Sequence, residues 1–371
     1  SEAGIEVFNL NISKIFFNPL KIFLLISLIK KLEPDVVQTW MYHADLLGGI
    51  AARISGIKNI VWGIRTTKLR FGESKVRTIV ITYLLALFSH WLPSRIILCA
   101  ESAKRYHLAL GYKKKLMRVV PNGYDLQYFA FNEVYRSSLR ERFDISNAIP
   151  CLGMIGRSDP YKDHGTLLRA LSILQTYDIE FRCFLIGQGM TDTNVRLLEE
   201  ISTCNLTKKI YLLGPVEDVS SLMNGLDIHV LSSSMEGFPN VLAEAMACKT
   251  PCIATDVGDA AVIVDKTGWI VEPKNPEALA LAMRAAIAEW DKPGWENRKN
   301  MAREHIKNNF SINEMVRAYH GIWADVMLQQ TPNGFYNSLT SQFKNPAQFL
   351  VSGKEPENIL LNSNGKINHV F

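Results

Sequence analysis

Glu236 and Glu244 stand eight residues apart in the stretch SSSMEGFPNVLAEAMA, residues 232–247. The spacing predicts a tight Gly237-Phe238-Pro239 turn after a strand, then a helix over 240–247. Gly237 permits backbone angles closed to other residues, and Pro239 suits a first helical turn. The N–H groups of Asn240, Val241 and Leu242 then point out of the helix start and, with its dipole, make an anion site. Glu236 lies in the turn just outside, and Glu244 about 6 Å of axial rise inside. Both carboxylates can therefore border one ligand whose phosphate caps the helix. In the plainer alternative Glu236 is only a partner of the helix dipole, and Glu244 a surface residue.

A second stretch, MIGRSDPYKDHGTLLRA at 154–170, ends a strand at Gly156 and places Arg157 and Lys162 before the next helix. Two cations beyond the carboxyl end of a strand suit a diphosphate, Arg as a fork and Lys as a point charge. Solvated loop charges are the plainer alternative. Asp163 is placed to cap that helix and His164 to stand at the rim.

Both stretches need strands behind them, and the chain supplies them. Apolar runs at 35–40, 59–64, 95–100 and 116–123 alternate with helical stretches such as 44–56. After Gly123 the sequence turns polar, and residues 124–149 read as the boundary between domains. A second alternation follows, with strands at 151–156, 181–187, 209–214, 227–233 and 251–255. The apolar runs AVIV (261–264) and GWIVEP (268–273) continue this series of strands, and helices at 276–290 and 312–328 follow. Continuous Val/Ile/Leu runs between helices indicate parallel strands buried on both faces. The fold class is thus α/β, two doubly wound domains in tandem, with ligands beyond the carboxyl ends of the strands and a cleft expected between the domains. The stretch from Thr331 is rich in Asn, Ser, Gly and Lys, shows no clear period, and reads as weakly structured.

Composition narrows the partners. The net charge of +5 over 371 residues is too weak to argue for nucleic acid, and suits an anionic ligand or membrane surface. The six cysteines show neither zinc spacing nor a disulfide framework, which favours a reducing compartment. The chain opens on Ser1 in what reads as mid-domain sequence, so the natural N-terminus is expected upstream. TIVITYLLALFSHWL at 78–92 is uncharged but shorter than the roughly 20 residues a span needs. It reads as a buried helix.

The segments GRSDPYKDH, LIGQGM, LLGPVEDV and SSSMEGFPNVLAEAMACKTPCIATDVG, in this order, resemble the C-terminal half of the family 4 retaining glycosyltransferases of GT-B fold. VVPNGYD at 119–125 resembles the end of that family's N-terminal domain, and the helix after 312 its final helix, which crosses back. The resemblance covers about residues 5–328 and implies two Rossmann-like domains facing a cleft. These are an acceptor-side domain at 1–130, truncated at its start, and a nucleotide-sugar donor domain at 148–311. A crossing helix at 312–330 and a tail at 331–371 complete the division. It further implies that Arg157 and Lys162 hold the donor diphosphate and that Glu236 contacts the donor sugar. Glu244 would accept from the ribose hydroxyls, and residues 237–242 would take phosphate and sugar oxygens through their backbone. The base pocket would be lined by the Gly187–Gly189 turn and Val216. His43, Arg65 and Asn122 are candidates for the cleft. No metal motif and no cofactor are implied. The donor would be a nucleoside-diphosphate sugar, UDP-linked by family weight with GDP open, and the acceptor a glycan or lipid-linked glycan of surface polysaccharide assembly.

The chain departs from the family in several places. The glycine-rich strand–loop–helix that usually opens the first domain has no counterpart at the start of the chain. Arg65 stands where many members carry a His. Lys249 occupies a common glycine position, at a cost of roughly 1–2 kcal/mol if the backbone there is left-handed, and Asp259 replaces a second glycine. KIFFNPLKIFLLISLIKKL (14–32), KVRTIVITYLLALFSHW (75–91) and YKKKLMR (112–118) mix apolar and basic residues, which makes an anionic lipid surface a candidate partner. The location expected is cytoplasmic, peripheral on the inner face of the membrane. The competing readings are an epimerase acting on sugar nucleotides, a truncated remnant that binds nucleotide without turnover, and a nicotinamide dehydrogenase, for which no G-x-G-x-x-G follows an early strand.

Overall fold

The computed structural model describes residues 6–10, 19–67, 69, 75–329, 359–361 and 367–370, with backbone alone for 19, 20 and the last two stretches. The chain divides into two units, one built from residues up to Pro121 together with those from Met315, the other spanning Asn122–Glu314.

The first unit begins with β1 (Glu6–Phe8), α1 (Pro19–Leu32), β2 (Val36–Trp40), α2 (Tyr42–Ile54) and β3 (Ile60–Ile64). It continues through α3 (Val76–Phe88), β4 (Arg95–Leu98), α4 (Glu101–Ala109) and β5 (Met117–Val119). Strands β2 to β5 are parallel neighbours in sequence order, and every residue of β2, β3 and β4 is buried. This is why β3 and the Ile96–Leu98 part of β4 read as apolar runs instead of alternating ones, although β2 buries the polar Gln38 and Thr39 as well. Helix α3 departs from the buried helix expected. Val76, Val80, Tyr83, Leu84 and Leu87 are exposed on its outer face, while Ile79, Thr82, Leu85 and Ala86 are buried.

The second unit opens with α5 (Glu133–Arg142), β6 (Cys151–Ile155), α6 (His164–Gln175), β7 (Arg182–Ile186), α7 (Val195–Thr203), β8 (Ile210–Gly214) and α8 (Val219–Gly225). It goes on through β9 (Ile228–Leu231), α9 (Asn240–Ala247), β10 (Cys252–Thr255), α10 (Ala260–Val264), β11 (Trp269–Val271), α11 (Pro276–Trp290), α12 (Gly294–Asn309) and the start of α13 (Ile312–Leu328). Its six strands are all parallel, in the order β8-β7-β6-β9-β10-β11. Counted along the chain this is 3-2-1-4-5-6, the order of dinucleotide-binding sheets.

Three readings need correction here. The change of unit falls at Asn122, ahead of the polar stretch 124–149, because that stretch is not a linker. It contains α5, whose Leu139 and Arg140 are buried, and Gly225 of α8 leaves so little room that a Cβ there would meet Leu139 at 2.4 Å. The run AVIV lies in α10. A short apolar run cannot by itself be told from a buried helix segment. Helix α12 was not foreseen, since its surface is mostly polar. It packs on α9 through buried Ala302 and Ile306, and its Arg303 donates to the carbonyls of Ala247, Phe129 and Leu126.

From Met315 onward α13 packs in the first unit. Tyr319, Trp323 and Val326 join a core with Val36, Trp40, Val61, Ile97 and Val120, and Trp323 Nε1 donates to Gln38 Oε1 at 3.1 Å. Within 331–371, residues Ile359–Leu361 (β12) and Ile367–Val370 (β13) form two short strands. They stand between β1 and β2 in the seven-stranded sheet, β12 antiparallel to β2 and β13 parallel to β1. The rest of 331–371 lies outside the described residues.

One buried ion pair ties α5 to the second sheet. Asp227, 6% exposed, accepts from Arg140 at 2.6 Å, Arg136 at 2.8 Å and the Cys151 N–H at 2.8 Å. Asp227→Ala would strand the buried Arg140 guanidinium without its counter-charge. The expected loss is about 3–5 kcal/mol by urea unfolding. Arg136→Ala, at a partly exposed position, should cost about 1 kcal/mol or less.

Candidate functional site

Strands β6 and β9 are neighbours at the point where the second sheet reverses its order. The crevice outside their carboxyl ends is where such a sheet takes a ligand. The loops that leave these two ends are 156–163 and 232–239, the two stretches singled out from sequence.

They are bonded to each other. Lys162 Nζ donates to Glu236 Oε1 at 2.7 Å, and Ser233 Oγ donates to the same oxygen at 2.7 Å. Ser232 Oγ reaches the carbonyls of Lys162 and Asp163 at 3.1 and 2.9 Å, and the Ser234 N–H donates to the Tyr161 carbonyl at 2.7 Å. Sequence reading passed over these three serines, although a serine run at the end of a strand was a visible signal. Asp163, left-handed at φ 49°, accepts from the Thr166 N–H and hydroxyl and so caps α6. His164 is not a rim residue; it is 8% exposed, and burial and the charge of Lys162 hold its pKa down to about 4.

The helix start at α9 forms as expected, with Pro239 as its N-cap. Two details differ. Gly237 is not in the left-handed region; the strained glycine is Gly258, at φ +61°. A Cβ on Gly258 would lie 2.3 Å from the Gly237 carbonyl oxygen and 2.7 Å from that of Glu236. The loop after β10 thus supports the turn from below, and the Asp259 N–H donates to the Gly237 carbonyl at 3.0 Å. The Leu242 N–H is also not free, since it donates to the Pro239 carbonyl at 3.1 Å. Among the described residues no protein acceptor takes the N–H groups of Asn240 and Val241. Asn240 Oδ1 accepts from Asn122 Nδ2 and Tyr124 Oη, both at 2.7 Å, which brings Asn122 to this helix start. The Phe238 ring packs edge-on against Phe310 and serves as an anchor.

Gly187 and Gly189 have φ values of +137° and +81°, and a Cβ on Gly187 would stand 2.4 Å from the Gly156 carbonyl oxygen. Their turn therefore lies directly against the Gly156–Ser158 backbone, and the Ser158 N–H donates to the Gln188 carbonyl at 2.7 Å. Arg157 is 69% exposed and paired with Asp159 at 3.0 Å, and Val216 is exposed beyond β8. Glu244 is half-buried in α9; desolvation lifts its pKa from 4.5 to about 7 against the opposing pull of Lys162. A cavity of about 830 Å³ between α6 and α7 borders this region through Ser158, Asp159 and Asp163, but does not include Lys162, Glu236 or Glu244.

His43 and Arg65 belong to the first unit. His43 lies in the first turn of α2, and the Arg65 guanidinium sits 5.5 Å from the Trp40 ring centre. Lys249 is left-handed, at φ 63°, with its ammonium 5.1 Å from the Phe131 ring. Among the described residues no group of three or more His, Cys, Asp or Glu could hold a metal ion.

Two family models match the chain. One, described as Glycosyltransferase Family 4, covers residues 2–128, and one, described as Glycosyl transferases group 1, covers residues 149–289. The chain is 25% identical over 315 residues to the UDP-Gal:alpha-D-GlcNAc-diphosphoundecaprenol alpha-1,3-galactosyltransferase of Escherichia coli, covering 82% of this chain and 79% of the relative. It is 27% identical over 310 residues to the capsular polysaccharide biosynthesis glycosyltransferase CapM of Staphylococcus aureus, covering 80% and 78%. Among solved structures, a glycosyltransferase from Rickettsia africae superposes with a TM-score of 0.72 at 23% identity, over 85% of this chain and 83% of that one. Anabaena HepE in complex with UDP superposes with a TM-score of 0.72 at 19% identity, over 82% of each.

The position of Glu244 has a consequence for stability. Its proton is held more tightly in the folded chain than in the unfolded one, so stability falls as pH rises from 4.5 through about 7 and is unaffected by this group below 4.5. Glu244→Gln should remove that fall. Above neutral pH the variant should be more stable than the parent by on the order of 1–3 kcal/mol, a range discounted for partial exposure. Urea midpoints across the pH range would check this; parallel curves for the two proteins would contradict it.

Proposed function

We propose that this chain, which belongs to the family 4 glycosyltransferases and has their GT-B fold, moves a sugar from a UDP-sugar to a lipid-linked or growing glycan acceptor in surface polysaccharide assembly, with retention of anomeric configuration. The observation that carries the reading is the Lys162–Glu236 contact at the reversal point of the second sheet, beside the open N–H groups of α9. The relatives support the substrate class. One names a UDP-galactose donor and a diphosphoundecaprenol acceptor, one capsular polysaccharide, and a structural neighbour holds UDP.

The geometry suggests how each group would act. The diphosphate meets the Asn240 and Val241 N–H groups, with the positive end of the α9 dipole behind them. Lys162 has three donors, so its ammonium can keep Glu236 and still hold a phosphate oxygen. Arg157 can exchange Asp159 for the diphosphate at little cost, because an exposed pair contributes little. Both bonds to Glu236 fall on Oε1, which leaves Oε2 to accept from a hydroxyl of the donor sugar. Glu244 accepts from the ribose hydroxyls, and the Gly187 turn and Val216 line the base.

As the bond from the anomeric carbon to phosphate oxygen breaks, the leaving nucleoside diphosphate gains negative charge. Lys162, Arg157 and the helix start lie where that charge grows and stabilise it more in the transition state than in the ground state. The acceptor oxygen attacks the same face of the oxocarbenium-like centre, and its proton passes to the departing phosphate oxygen. No protein nucleophile enters this account. The nucleotide sugar and a lipid-linked acceptor would meet at the cytoplasmic face of the membrane.

Thermal unfolding with UDP, GDP, ADP and NAD tests the donor. At a hundredfold excess over Kd, UDP should add about 2.7 kcal/mol of stability, while NAD adds none. Glu244→Ala should lose most of that shift. With UDP-sugars as substrates, Lys162→Ala should lower turnover by about 100-fold or more, and the product anomer should match the donor by NMR. Normal kinetics in Lys162→Ala, or an equal shift with NAD, would overturn the assignment.

A further inference from the structure

The outer face of α1, α2 and α3 in the first unit serves no part of the reaction described above, yet it is unusually apolar for a surface. Phe23 and Leu24 of α1 are 66% and 53% exposed, and Ile54, at the end of α2, is 58% exposed. On α3 the exposed residues Val76, Val80, Tyr83, Leu84 and Leu87, followed by Trp91 at 67%, fall at helical spacing on one side. Helix α2 packs against both α1 and α3, so these residues share one face of the unit. Helix α3 is therefore apolar inside and outside, a pattern that water does not favour on a free surface.

Cations surround this face. Lys30 and Lys31, near the end of α1, each stand seven residues and so about two turns beyond Phe23 and Leu24, on the same side of the helix. Lys75 and Arg77 stand at the start of α3. At the other end, Arg53 donates to the carbonyls of Trp91 and Leu92 at 3.2 and 2.7 Å, and Lys113 donates to the His90 carbonyl at 2.9 Å. The two residues that follow Lys113 in the chain, Lys114 and Lys115, are exposed. Neither α1, α3 nor the 112–118 segment contains an Asp or Glu.

We propose that this face docks on an anionic lipid bilayer. An apolar stripe bordered by cations, with aromatic residues at its edge, is the chemistry of a headgroup boundary. Insertion across the bilayer is excluded for α3 by length. Its 13 residues span about 20 Å, against a hydrocarbon core of about 30 Å, and among the described residues no helix is long and apolar enough to cross. The helix lies flat, with Leu84, Leu87 and Trp91 reaching the acyl boundary and the lysines on the headgroups. A partner protein would need its own acids and its own apolar surface; an anionic membrane offers both over any area. Docking requires nothing of the nucleotide site, so its failure and failure of the transfer reading are separable.

Flotation of the full chain with vesicles tests this. Vesicles containing phosphatidylglycerol should carry the protein, and pure phosphatidylcholine vesicles should carry at least about tenfold less. Raised salt should weaken the binding. Leu84→Ser with Leu87→Ser, and separately Lys114→Glu with Lys115→Glu, should each lower partition by about tenfold or more. All four positions are exposed, so thermal unfolding should be unchanged. Trp91 emission should shift to the blue on binding, and Trp91→Phe should abolish that change. Absence of binding to anionic vesicles, or binding unaffected by either double variant, would overturn the proposal. So would a dimer in sedimentation that the leucine variant dissolves without any vesicle binding, which would assign the face to a second copy.

Discussion

An ammonium and a carboxylate 2.7 Å apart, Lys162 and Glu236, join two loops 74 residues apart in the chain. The parallel sheet makes the contact possible. Strands β6 and β9 are neighbours only because the chain runs outward to β8 and then returns to the other side of β6. That return leaves two loops side by side at the carboxyl ends, with no crossover between them. The serine run then ties one loop to the backbone of the other, so the charged pair is held by neutral bonds as well as by its own attraction.

The loops approach so closely because side chains are missing where backbones meet. Gly187 lies against Gly156, and Gly258 against Glu236 and Gly237. Each is left-handed, and each would drive a Cβ into a carbonyl oxygen. These glycines therefore set the depth of the site, though neither offers a polar side chain to it. Lys249 shows the opposite solution. It takes a left-handed angle without being glycine, and its ammonium lies over the Phe131 ring, a cation–π contact that offsets part of the strain.

The two units handle apolar surface differently. The second sheet is covered on both faces by α5 to α12, and its core runs without a break from Tyr124 to Phe310. In the first unit α13 supplies part of the core, while α3 keeps apolar residues on its far side. A helix that is apolar all round reads from sequence as buried, and the distinction lies in what the neighbouring elements leave uncovered.

The sequence by itself determined the alternation of strands and helices, the bounds of α9, α11 and α13, and the residue types at the two loops. Those signals are local, because apolar runs, caps and Pro-Gly turns act within a few residues. Asp163 could be read as a helix cap from its position alone. Only the tertiary structure decided that Leu242 bonds back to Pro239, that Gly258 rather than Gly237 carries the unusual angle, and that Ser233 shares Glu236 with Lys162. It also decided that the polar stretch around α5 is part of the second unit, since a buried Arg140–Asp227 pair cannot be seen in a sequence that shows only two surface-type residues. Each of these depends on a partner distant in the chain. Which partner arrives is set by strand order and by the room left when the sheets are packed.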